Sequence, residues 1–449
     1  MTPLALLFLL VAVAAIWSLP RQWAPVPLLA TACYMTLGQG TELAGLNLHV
    51  MRLVLLAGLV RVLVRRERAA GGWSGMDHLF AAWGGWALAA SVFHESPSDT
   101  FINHAGMVFN IAGAYILFRV FVHGREDVVR LTQVLAVVLV PVALEMLNEQ
   151  FTRHNWFSLF GGVPEEPAIR NGRLRSQGPF AHAILAGTVG AVCTPLMVAL
   201  WRERPWQARV GMCACGIMVL TSASSGPLAS LLVAMLALLL WRRRHLTRQM
   251  RVAAVVGYIL LDLVMKAPAY YIIARIDLAG GSTGWHRAEL IRKALEHLPE
   301  WWLGGTDYTR HWMPYGVPWS ENHADITNHY LAQGVRGGVL LIVLFISILW
   351  AGFRYVGRLA KLEESHPSGK PFFWWCVGCS LFAHAATCIS VAYFDQSVMF
   401  LVMTLAICAS GFKAVEAEGI PCARENEELA AGLGTAHVQR DHGTVQKLS

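Results

Sequence analysis

Charged side chains are what this sequence has least of. Asp, Glu, Lys and Arg supply 14% of its 449 residues, against about 25% in a soluble domain. So little charge excludes an ordinary soluble enzyme. Several catalytic signatures are also missing. There is no H-E-x-x-H, D-x-D or D-D-x-x-D, which disfavours divalent-metal chemistry at acidic pairs. No Walker motif, no G-x-G-x-x-G ahead of a helix and no G-x-S-x-G elbow occurs, so neither nucleotide use nor a serine hydrolase is indicated. The chain shows no repeat of fixed period and no low-complexity block. Its first apolar segment lacks the basic start and A-x-A site of a cleaved signal peptide and reads as retained.

Apolar residues fill the space: 55% of the chain is hydrophobic and mean hydropathy is +0.46. A bilayer core is spanned by about 20 such residues in a helix. Windows of this kind lie at 3–19, 50–64, 76–94, 105–122, 128–147, 180–201, 208–221, 224–241, 252–265, 327–353, 372–390 and 396–412. A shorter one at 24–38 is compatible with either a crossing or a shallow dip, which leaves the sidedness of the N-terminus open. The expected architecture is an all-α polytopic membrane protein of 12–13 transmembrane helices, a bundle over residues 1–413 followed by a disordered tail at 414–449. The nine cysteines lie mostly inside apolar windows, so the C-x-x-C of Cys376 and Cys379 reads as core packing rather than redox or metal chemistry.

Basic residues in short loops stay cytoplasmic. The loops 65–68, 123–130, 202–209, 242–251 and 354–370 fall on one side under simple alternation and hold 17 basic but only 6 acidic residues. The long loops 148–179 and 266–325 fall on the other side and hold 10 of each. The long loops are therefore expected outside and the C-terminal tail inside. The pI near 9 reflects this loop asymmetry better than it reflects a nucleic-acid partner.

The first long loop carries Arg170, Arg173 and Arg175 against the positive-inside bias. Guanidinium forks hold phosphate bidentately and cannot lose their charge, so a phosphate ligand would account for them. Pairing with Glu165 and Glu166, or with lipid phosphates, would account for them equally simply. His182 reads as either a core histidine or a cavity-lining group. “TSASSGP” at 221–227 reads as helix packing rather than a nucleophile.

The second long loop contains “GWHRAELIRKALEHLPEWW”, in which Ala288, Ile291, Leu295 and Leu298 recur at helical spacing. An amphipathic helix on the membrane surface is expected, ended by Pro299, with His286, Arg287 and Arg292 near its start. Trp301, Trp302, Trp312 and Trp319 suit an interfacial belt more readily than sugar stacking. Then comes “WSENHADITNHYLAQGVRGG”, polar and histidine-rich before a long apolar run. A helix beginning near Ile326 would offer its positive end to an anion, with Asp325 as its cap or as part of a site. A histidine there, His323 or His329, could serve as a general base. “GVRGG” lets another backbone approach closely, and Arg336 two turns in is costly unless it faces a polar cavity.

Four blocks now read together. “LRSQGPFAHAILAG”, “TSASSGPLASLLVAMLALLLW”, “GWHRAELIRKALEHLPEWWLGGT” and “ITNHYLAQGVRGGVLLIVLFISIL” resemble, in order, the O-antigen ligase and polymerase superfamily over about residues 170–355. The resemblance implies a bundle like that of the C-type glycosyltransferases with a large periplasmic loop, in a bacterial inner membrane. It implies transfer of a glycan from undecaprenyl diphosphate to lipid A core or a growing glycan, by inversion, with neither metal nor cofactor. By motif Arg175 matches the arginine of R-x-x-G-x-F, Arg287 the arginine opening the loop helix, and Asn328, Tyr330 and Leu331 the N-x-Y-L block. Arg173, Arg175, Arg287 and Arg292 are then the expected diphosphate ligands, and Asn328 and Arg336 further substrate contacts. Where many members place His before that Asn, this chain has Thr327. The base would then be His323 or His329, with His323 favoured for its place in the loop and Asp325 beside it. The other expectation is a transporter of lipid-linked sugar or another polar lipid, for which helices broken in matched halves would be the sign.

Overall fold

In the absence of water, an apolar segment can satisfy its backbone only internally, so the greasy runs of this chain fold as helices. The computed structural model describes residues 1–43, 46–275, 284–317, 320–367 and 369–417. In order these form α1 (Pro3–Ser18), α2 (Pro25–Tyr34), α3 (Val50–Arg65), α4 (Gly75–Ala89) and α5 (Pro97–Phe121). Next come α6 (Gly124–Thr152), α7 (Ala183–Ala199), α8 (Pro205–Thr221), α9 (Ser225–Leu239) and α10 (Thr247–Val264). The large loop holds α11 (Gly284–Glu296) and α12 (Leu298–Trp301), before α13 (His329–Glu364), α14 (Pro371–Thr387) and α15 (Val398–Ala417). Among the described residues strands are confined to three hairpins: β1–β2 (Gly40–Leu43, Leu46–His49), β3–β4 (Ile169–Arg170, Arg173–Leu174) and β5–β6 (Gly316–Val317, Ser320–Ala324).

Among the described residues six helical stretches are long and apolar enough to cross a membrane: Pro97–Phe121, Gly124–Thr152, Ala183–Arg202, Ser225–Val264, His329–Glu364 and Val398–Ala417. The protein is an all-α, multi-pass membrane protein. Its centre is formed by α7, α14 and α15, with Trp374, Phe400, Val189 and Leu185 fully enclosed. Cys376 and Cys379 are buried and free on α14, as packing residues would be. The window at 24–38 becomes α2, only 10 residues long, and continues as extended chain. There Thr36 Oγ1 and Gln39 Nε2 donate to Phe160 O at 3.1 and 2.6 Å. α10 differs from the other helices: every residue from Arg251 to Val264 is exposed. α15 runs to Ala417, past the expected boundary at 413, and the rest of the expected tail lies outside the described residues, as does Trp319.

The basic turns gather at one end of the bundle. Arg125 and Lys370 pair with Glu203 at 2.6 and 2.5 Å, Arg244 with Glu364 at 2.5 Å, and Arg21 with Asp127 at 3.0 Å. The two long loops meet at the other end, where Arg170 of the first acts on Arg287 of the second. Asp395 Oδ2, in the turn between α14 and α15, accepts from Ala181 N at 2.9 Å, and Gln396 Nε2 donates to Pro179 O at 2.7 Å.

The α13 span is not continuous. α13 breaks at Gly337 and Gly338, the latter at φ +70° and ψ −171°. Three acceptors near the break find donors elsewhere: Val335 O from Thr306 N at 2.8 Å, Arg336 O from His94 Nε2 at 3.2 Å, and Gly337 O from Trp86 Nε1 at 2.7 Å. The close backbone approach expected of “GVRGG” is the loop segment 302–305. A Cβ on Gly338 would lie 2.3 Å from Leu303 O.

Candidate functional site

Arg175 is placed by the end of α6. The Glu149 carboxylate, fully buried, accepts from Gln177 N at 3.0 Å and Gly178 N at 2.6 Å. Gln150 Nε2 donates to Ser176 Oγ at 2.8 Å and to Thr221 O at 3.0 Å. Before this clamp comes the hairpin β3–β4, which turns on Asn171 and Gly172, both at positive φ, as Asn-Gly favours. Held from both sides, the Arg175 guanidinium reaches the α8–α9 turn, where Nη2 donates to Ser224 Oγ at 2.7 Å.

Arg287 reaches the same turn from the large loop. It is buried on α11, and its Nη2 lies 3.8 Å from where a Cβ on Gly226 would be. Its Nε has no hydrogen-bond partner. Both guanidinia thus stand over the N-terminus of α9, which carries its own partial positive charge. Burial, then the like charge of Arg170, pulls each below its ordinary range, and only Asp325 draws Arg287 back up. His182 caps α7 beside them, accepting at Nδ1 from Ile184 N at 3.1 Å. Burial first, then Arg175 and Arg170, pushes its imidazole down to about 4, so it is neutral near pH 7 and its Nε2 carries the proton. Such a crowd of donors, with Asp325 the carboxylate that acts on Arg287, is an arrangement that could hold an anion.

The other residues expected from sequence divide. Asp325 does not cap α13. The helix begins at His329, three residues after the expected start at Ile326, because Asn328 supplies the cap: its Oδ1 accepts from Tyr330 N at 2.9 Å and Leu331 N at 3.1 Å. Asp325 is exposed instead, and its backbone oxygen faces His286 Nε2 at 3.1 Å. Arg292 is paired with Glu289 and Glu296 on the exposed side of α11. Five residues turn a helix by about 140°, so Arg287 and Arg292 cannot share a face. The same helix buries Arg287, Ala288, Leu290 and Ala294 and exposes Leu295, which shifts the inward face from the expected Ala288–Ile291–Leu295 line. It ends at Glu296, and Pro299 lies in the first turn of α12.

His329 is buried in the core. Tyr393 N donates to its Nδ1 at 3.2 Å, so Nε2 carries the proton and no ring nitrogen is left to take one from a hydroxyl. His323 lies on β6, with Nδ1 2.7 Å from Ser320 Oγ. Arg173 stays exposed, opposite Arg170 in the hairpin register. Thr327 Oγ1, where the resembling family often has His, is buried without a hydrogen-bond partner.

Arg336 belongs to a second feature. A cavity of about 270 Å³ opens between α3, α5, α13 and the 393–399 turn, lined by Arg52, Asn103, Asn110, His329, Arg336 and Asp395. Among the described residues no side chain accepts from the Arg336 guanidinium, whereas Arg52 Nε donates to Asn110 Oδ1 at 3.2 Å. The 391–397 turn divides this cavity from the arginine cluster: Val391 packs beside Gly226 on one side, and Tyr393 to Gln396 line the cavity on the other.

Sequence reasoning missed Glu149, Gln150 and Ser224. Each is an ordinary polar residue at the end of an apolar run, and its role exists only through a contact across the chain. Neither a model of a known protein family nor the sequence of a curated protein significantly matches this chain.

Proposed function

We propose that the protein is a glycosyltransferase that moves a glycan from undecaprenyl diphosphate to a glycan acceptor on the periplasmic side of a bacterial inner membrane. The observation that carries the reading is the convergence of Arg175 and Arg287 on the α9 N-terminus, with the like charge of Arg170 acting on both and Asp325 acting on Arg287. A diphosphate leaving group is the anion that such a set of forks would hold, and it would gain from them most as its charge develops. The acceptor hydroxyl must give up a proton as the glycosidic bond forms. His323 is the base in this reading, because the accepting nitrogen of His329 is already taken by Tyr393 N. The cavity holding Arg336, across the 391–397 turn, offers the acceptor a polar wall. The basic turns at the opposite end agree with a cytoplasmic face there.

A second reading has one observation of its own. The break in α13 is of the kind that transporters use to bind polar substrates in mid-membrane, so carriage of a lipid-linked sugar is the alternative. Deleting the gene and resolving cellular glycans tests the first reading. Loss of long polymer with single repeats kept on lipid A indicates a polymerase, and accumulation of lipid-linked polymer indicates a ligase. Normal long polymer in the deletion strain would defeat both.

A further inference from the structure

We propose that His297, Glu300 and His311 form a binding site for one divalent ion of the zinc class on the large loop. The donor atoms of the three lie within 4.8 Å of one another. His297 Nδ1 is 2.7 Å from Glu300 Oε1, and His311 Nε2 is 2.9 Å from Glu300 Oε2. His297 and Glu300 are three residues apart across the start of α12, which puts them on one side. His311 arrives from the single turn Arg310–Trp312. The carboxylate thus stands between two imidazoles brought from separate segments.

Around zinc, nitrogen and oxygen donors sit about 2.0–2.2 Å from the metal in a tetrahedron, hence roughly 3.3 Å from each other. To admit an ion the two carboxylate contacts would open by about half an ångström and the widest donor pair, within 4.8 Å, would close by up to about 1.5 Å. The surroundings favour this over a loose surface contact. Trp312, 1% exposed, donates from Nε1 to Glu300 Oε2 at 3.2 Å, the outer hydrogen bond that orients a ligating carboxylate. The His297 ring lies parallel to the Trp312 ring with centroids 6.1 Å apart, and Tyr308 stacks on His311 at 4.9 Å. Two imidazoles and one carboxylate select zinc, cobalt, nickel or copper over magnesium or calcium. Three protein ligands leave a fourth position for water. Bound metal would pin α12 to the 310–312 turn and so brace the small core of Leu290, Ala294, Trp301 and Trp312. This inference does not depend on the transferase reading.

The test uses the full chain, purified in detergent and stripped with a chelator, then titrated with Co²⁺. One equivalent should bind with the visible d–d absorbance of a tetrahedral site, be displaced by Zn²⁺ and ignore excess Mg²⁺. Glu300→Gln should weaken binding by about tenfold or more, and the pair His297→Ala and His311→Ala should abolish it. Should the double variant fail to fold, modification of wild-type histidines by diethyl pyrocarbonate decides: Zn²⁺ should shield His297 and His311 and leave His154 reactive. Absence of a saturable equivalent, binding untouched by the double variant, or equal reactivity with and without Zn²⁺ would overturn the proposal.

Discussion

Replacing Arg287 by methionine separates a binding role from a structural one. The side chain is 7% exposed, its Nε is unpartnered and Arg170 is the like charge acting on it. Methionine keeps the unbranched stem and gives up the fork and the charge. If Arg287 holds the diphosphate, a charge-assisted contact of about 1.5–3 kcal/mol is lost. At about 1.4 kcal/mol per factor of ten, transfer should fall by about ten- to a hundredfold. The unliganded fold should not suffer, because an unsatisfied buried donor costs about 1–3 kcal/mol that methionine does not incur. Melting temperature in detergent should therefore hold or rise while transfer drops. Lysine keeps the charge without the fork and should rescue poorly. The assay is complementation of a deletion strain, read by glycan gel and membrane protein level, beside a melting curve. Full transfer by Arg287→Met would remove this residue from the site, and a loss of transfer matched by a fall in melting temperature would make its role structural.

Three further outcomes are expected. General base catalysis contributes about a hundred- to ten-thousandfold, so His323→Ala should erase visible product at normal protein level while His329→Gln retains it; the opposite pattern refutes the assignment. Gly338→Ala, at φ +70° with Leu303 O in the way, should lower the melting temperature sharply or prevent accumulation in the membrane, and a wild-type melting curve would show that the break is not strained. His182 has its folded-state value at about 4, below roughly 6.5 when unfolded. Its neutral form is thus favoured by folding, and stability should decline as pH falls from about 6.5 towards 4 and stay level above 7. His182→Asn, which can still cap α7, should flatten that decline; an unchanged pH profile would contradict the burial.

The helices were legible because hydropathy alone demands them. The windows at 50–64 and 208–221 reappear as α3 and α8 within a few residues. Boundaries fared worse where polar residues stay helical: α5 begins at Pro97, whose fixed φ suits a first turn, eight residues before its apolar window. The site was half legible. Arg175 and Arg287 stand out as charges against a topological bias, and the structure brings them to one turn. Arg292 looked equivalent in sequence, and only the helical angle separates it from Arg287. The cap of α13 was misplaced because Asp325 and Asn328 both suit that role, and only Asn328 stands directly before the first helical residue. The His297–Glu300–His311 group escaped a motif search because its third ligand comes from a different turn.

The most direct measurement follows the chemistry itself. The purified protein, in liposomes loaded with undecaprenyl-diphosphate-linked glycan and supplied with acceptor on one face only, should release undecaprenyl diphosphate and yield a longer glycan or glycan-bearing lipid. Arg287→Met should lower that yield by about ten- to a hundredfold. Lipid-linked glycan that crosses the vesicle membrane with its diphosphate bond intact, and no new glycosidic bond, would contradict the account and leave a transporter in its place.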